Sequence, residues 1–235
     1  VAAEVRGMLR GDLKLDEEAN KAKFDGWYTQ YLFASMTQPE NLATLDVNRQ
    51  RFLRQDLGFA KDQKVHDYLV KDLTLPQMTA VVRGNFHPAV RYNAMLIISN
   101  LNIVEVPTSG QRRPPIPLLD SLVVITEELQ NDKQSDAVKL AAWVGLLRHV
   151  QLNRINQQIP PNAVQIIRTT ATKMLATKDP PAGRSLRGHV WMQRRAIEVL
   201  AAVETPGAPG DVISQIEAMA ANDQAPLSLR LTAAR

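Results

Sequence analysis

Apolar residues recur at spacings of three and four along almost the whole chain, and strict alternation over five or more residues is rare. The pattern predicts helices near 65–83, 87–103, 116–130, 135–152, 161–177, 188–203, 210–221 and from 226 to the end. Upstream, Phe24, Trp27, Tyr28, Tyr31 and Leu32 share one helical face. Leu42, Leu45, Phe52 and Leu53 share another after the break at Gln38-Pro39, where proline suits a first helical turn. Breakers separate the helices at Gly84-Asn85, Pro107 to Pro117, Pro160-Pro161, Pro180 to Gly183 and Pro206 to Gly210.

One short signature returns in the second helix of successive pairs. Val90-Arg91-Tyr92-Asn93-Ala94 matches Val138-Lys139-Leu140-Ala141-Ala142, then Met192-Gln193-Arg194-Arg195-Ala196 and Leu229-Arg230-Leu231-Thr232-Ala233, at intervals of 48, 54 and 37 residues. The apolar residue and the alanine four later lie on one face, and the small alanine admits a close neighbour. Ile97, Ile98 and Leu101, then Leu146, Leu147 and Val150, then Val199, Leu200 and Val203 extend that stripe.

At these residues the chain resembles the HEAT repeats, α-solenoids in which a helix A, often bent at proline, precedes a helix B with a V-R-x-x-A core. Pro76 falls where such a bend belongs. The resemblance implies an all-α fold, an α-α superhelix of the armadillo/HEAT-like kind. It covers residues 61–235 as about four repeats in one continuous solenoid. The third copy departs from the pattern, with Gln193 in place of the basic residue. Residues 1–60 match no repeat and are expected to form an N-terminal helical cap, since a solenoid shields its terminal apolar face. After Ala233 only two residues remain, so the last repeat is expected to be truncated, with Leu227, Leu229 and Leu231 uncovered and the native chain continuing.

Composition narrows the chemistry. The 235 residues contain no cysteine, which removes disulfide scaffolds, thiolate metal sites and thiol nucleophiles. A net charge of +4 is too small to announce a polyanion partner. The longest uncharged apolar stretch, Tyr92 to Val104, is shorter than the roughly 18–20 residues of a membrane span. Nothing fixes a compartment.

No phosphate loop, nucleophile elbow or paired-histidine metal motif occurs. The expectation is no catalytic residue, no metal and no cofactor. His66, His87, His149 and His189 are scattered and read as surface or loop residues. The neighbours Asp16-Glu17-Glu18 and Glu127-Glu128 point in different directions on a helix and do not read as an acid/base pair.

Two clusters stand out. Phe24, Trp27, Tyr28, Tyr31 and Phe33 place five of the twelve aromatics within ten residues. The first four share a core stripe, leaving Phe33 as the candidate for exposure. Between Arg154 and Ile197, eight positive residues stand against Asp179 alone. There, Arg184, Arg187, His189, Arg194 and Arg195 flank Trp191, a mixture of cations and ring suited to phosphate or an acidic partner, or else a solvated helical face.

The leading function implied is a protein–protein interaction scaffold that presents a concave helical-repeat surface without catalysis. Its partner would be another protein or a domain of the same longer chain. The alternative is nucleic-acid or anion binding through residues 154–195. The segment Val190 to Ile197 resembles a helix start in the HEAT-like DNA glycosylases, although the paired tryptophans and aspartate of that group are missing. The HEAT-like phycobilin lyases offer a further precedent, with no residue here that specifies a pigment.

Overall fold

The computed structural model describes the chain apart from Thr108, Arg112, residues 204–210 and Arg235. The breaker run from Pro206 to Gly210 thus lies outside the described residues. Among the described residues the fold is all-helical but for one small hairpin, and the chain divides into two compact units, Val1–Val124 and Ile125–Arg235.

The first unit opens with α1 (Ala2–Arg10), stopped by Gly11 in the left-handed conformation at φ 82°, which only glycine adopts freely. Helix α2 (Glu18–Asp25) runs directly into a π-helical stretch, Gly26–Phe33. A 3-10 turn, Pro39–Thr44, leads into α3 (Leu45–Arg51) and a second π stretch, Phe52–Leu57. Asp62 then caps α4 (Gln63–Asp67), its carboxylate accepting from the amides of Lys64 and Val65 at 2.9 and 3.3 Å. A third π stretch, Tyr68–Thr74, joins α4 to α5 (Leu75–Arg83). Pro76 has no N–H to continue the regular ladder, and the Thr74 hydroxyl donates back to the Leu69 carbonyl at 2.7 Å.

Helix α6 (Pro88–Asn100) packs on α5 and on α3, and Arg49 of α3 donates to the buried amide oxygen of Asn93 at 2.5 Å. Residues 1–60 therefore share one unit with the first helix pair. Helix α6 ends before the predicted limit of 103, and α7 (Leu119–Gln130) begins after the predicted 116. The difference is a hairpin: β1 (Asn102–Val104) pairs antiparallel with β2 (Ile116–Pro117). The β-branched Ile103, Val104 and Ile116 suit that conformation, and the prolines between them bar a helix.

In the second unit, α8 (Asp136–Asn156), α9 (Pro161–Ala176), α10 (Leu186–Val203), α11 (Asp211–Ala221) and α12 (Leu227–Ala233) follow the predicted bounds closely. Helix α10 packs on α8, α9 and α12, and α11 packs on α12. The signature positions are buried in the first three copies, Val90 with Ala94, Val138 with Ala142 and Met192 with Ala196, while in the fourth Leu229 is buried and Ala233 only half-buried. Leu229 was expected to be uncovered, but it is buried by the packing of α12, while Leu227 and Leu231 are exposed. Among the described residues no helix is long and apolar enough to cross a membrane.

Two further sequence expectations are corrected. Phe33 is buried at 3% exposure, and Tyr31 is the exposed ring at 59%. In the π stretch the chain advances about five residues per hydrogen-bonded loop rather than four. The core face therefore passes through Phe24, Tyr28 and Phe33, spaced by four and five. The histidines are also not surface residues, apart from His87, whose ring accepts from the Ala89 amide at 3.2 Å. His66, His149 and His189 are buried.

Candidate functional site

The predicted basic cluster is built around an internal pairing. Arg184, just before α10, grips Asp136 at the start of α8, with Nε 3.1 and 3.0 Å from the two carboxylate oxygens and Nη2 2.8 Å from one. Its Nη1 lies 3.3 Å from His189 Nδ1, and His189 Nε2 lies 2.8 Å from the Thr177 carbonyl. A neutral ring accepting at Nδ1 and donating at Nε2 satisfies both contacts. Gln193 donates to the same carbonyl at 3.0 Å, so the residue that breaks the repeat signature closes the turn between α9 and α10.

Arg194 donates to the Thr232 hydroxyl at 2.9 Å, and Arg195 pairs with Glu198 at 2.5 Å while lying over the Trp191 ring at 4.9 Å. Arg187 is exposed and makes neither hydrogen bond nor ion pair. Of the eight cations in the segment, Arg154, Lys178 and Arg187 are the exposed ones without such a partner. The remaining predicted residues are brought together chiefly by bonds within the unit.

A different feature emerges in the first unit. One face of α1, the π stretches Gly26–Phe33 and Phe52–Leu57, and α3 enclose a cleft of about 380 Å³. The first π stretch contributes Trp27, Tyr28 and Tyr31, and the second contributes Asp56. Trp27 and Tyr31 lie ring to ring at 4.7 Å. Tyr31 and Val47 give the cleft wall exposed apolar surface. Arg6 and Arg51 also line it, and neither forms a hydrogen bond or ion pair.

The floor is polar. Tyr28 is fully buried, its ring packed on Phe24 at 4.8 Å and Phe33 at 5.8 Å, and its hydroxyl has no formed hydrogen bond. Burial pushes the Asp56 carboxyl up to about 6, against the opposing pull of the Tyr28 hydroxyl and the charges of Arg51 and Arg6. Burial and Asp56 together push the Tyr28 phenol above its ordinary range. Asp56 can thus exchange a proton near neutrality in a cleft whose other charges are positive.

Sequence reasoning grouped Trp27 and Tyr31 but missed Asp56, Arg6 and Arg51. No local signal marks them, because two changes of helical period bring them to one cavity. Among the described residues, no group of acidic residues and histidines is arranged to hold a metal. Comparison with protein-family models, curated proteins and solved structures gives no match.

Proposed function

We propose that the chain is a HEAT-like helical-repeat module that binds a protein partner and carries out no catalysis itself. The repeat reading is supported by the buried apolar–alanine signature in successive helices and by the packing of α10 between α8 and α12. The binding reading rests on one observation, the 380 Å³ cleft with its stacked aromatic pair, Tyr31 exposed and Trp27 half-buried, and two arginines that form no hydrogen bond or ion pair. Its size falls within the range of preformed ligand sites.

The cleft offers an apolar wall for an aromatic or aliphatic side chain and two guanidinium groups for a carboxylate. Its natural occupant is a partner segment that carries both. Protonation of Asp56 removes the one negative charge that would oppose such a segment. Selection of a peptide-display library on the immobilised 235-residue chain tests this. The expected consensus pairs a large apolar residue with Asp or Glu, and Trp27→Ala and Tyr31→Ala together abolish enrichment. A consensus unaffected by that double substitution would place recognition elsewhere.

A further inference from the structure

We propose that a second cleft, within the unit Ile125–Arg235, is a binding site for a small oxyanion, a carboxylate or a phosphate, held by Lys139 and Trp143. The cleft measures about 110 Å³ and lies against α8, α9 and α10. Lys139 and Trp143 are four residues apart on α8, so they occupy the same helical face, and both line the cleft.

Neither side chain donates a hydrogen bond to another protein group. Lys139 is 9% exposed, and its ammonium makes no hydrogen bond and no ion pair. The Trp143 indole N–H is likewise without a hydrogen-bond partner in this nearly buried residue. An ammonium on so little-exposed a residue, with no acceptor from the protein, favours a counter-charge in the cleft.

The carboxylates nearby are committed elsewhere. Asp136 is bound by three contacts from Arg184. Asp132 is largely exposed and pairs with Lys173 at 3.7 Å. Burial, followed by the charge of Arg184, holds the Lys139 ammonium below its usual range, while Asp132 and Asp136 only partly oppose this. Lys173 and Arg184 also line the cleft, so its local charge is positive. An oxyanion supplies what the site lacks: a negative charge and several acceptor lone pairs for two donor-only groups. Met174 and Met192 wall the same space and leave room for a short apolar tail.

The test uses the whole chain labelled with ¹⁵N and follows its three tryptophan indole N–H signals by NMR, with Trp143 assigned through Trp143→Phe. Sodium phosphate and sodium acetate are titrated separately at constant ionic strength, balanced with sodium chloride. The expected result is a saturable shift of the Trp143 signal in at least one titration. Lys139→Met, which removes the charge and keeps the apolar stem, should weaken it by about tenfold, the loss of one charge-assisted bond. Lys139→Arg should retain part of it. A shift that chloride alone reproduces, an absent shift with both anions, or an equal shift in Lys139→Met would overturn the proposal.

Discussion

Arg184 and Asp136, 48 residues apart, form a two-pronged ion pair with contacts of 2.8 to 3.1 Å, and the arginine side chain is only 9% exposed. The pair ties the turn before α10 to the first turn of α8, where the aspartate also favours the helix dipole. Removing either partner strands the other. Arg184→Ala or Asp136→Ala should destabilise by about 1–3 kcal/mol. The double variant should lose less than the sum of the two, as read by urea unfolding. Strict additivity would show that the pair does not couple.

Ala142 is fully buried at the signature position of α8. Replacing it with leucine forces extra volume into a filled layer and should cost on the order of 1–3 kcal/mol. The check is the thermal midpoint of Ala142→Leu against wild type. An unchanged midpoint would mean that this face tolerates volume and that the repeat alignment is misplaced.

Asp56 makes stability depend on pH. Its native carboxyl titrates at about 6, above the unfolded value of about 3.9, so the native state holds the proton more tightly. The resulting stabilisation is complete below about pH 4 and is lost as pH rises through 6. Because the carboxyl borders an open cleft, solvent screening reduces the effect to about 1–2 kcal/mol. Asp56→Asn should remove that decline. Unfolding free energies at pH 4 and pH 8 measure it, and an identical decline in the variant would assign the pH dependence to other groups.

The basic segment leaves three exposed cations without hydrogen-bond or ion-pair partners, Arg154, Lys178 and Arg187. Any duplex binding through it should therefore show a log–log salt slope no steeper than roughly −3, at about −0.9 per phosphate contact. Titration of a fluorescent oligonucleotide at two salt concentrations reads this slope. A steeper one would require a paired cation such as Lys173, Arg194 or Arg195 to leave Asp132, Thr232 or Glu198.

The helices were legible wherever period and punctuation agreed. Pro160-Pro161 opens α9, and the signature Val138 to Ala142 lies on the buried face of α8. Legibility failed where the period changed. The π stretch Gly26–Phe33 buries Phe33 and exposes Tyr31, the reverse of what a regular helix predicts. The hairpin of Asn102–Val104 with Ile116–Pro117 is too short for alternation to register. The first-unit cleft was half visible, because clustered aromatics announce Trp27 and Tyr31, whereas nothing in Phe52–Leu57 announces that Asp56 turns toward them. The fate of Arg184 was hidden too, since composition counts its charge and only the fold reveals Asp136 beside it.

The affinity of a display-selected acidic–apolar peptide for the 235-residue chain, measured by calorimetry at pH 5.5 and 7.5, bears most directly on the proposed binding role. Wild-type protein should bind more tightly at pH 5.5, where Asp56 is mostly protonated, provided the peptide carboxylate stays ionised. Charge reversal by Arg6→Glu and Arg51→Glu together should abolish binding at both values while leaving the helical circular dichroism unchanged. Equal binding by wild type and the reversed variant would contradict the assignment of the cleft as the recognition site.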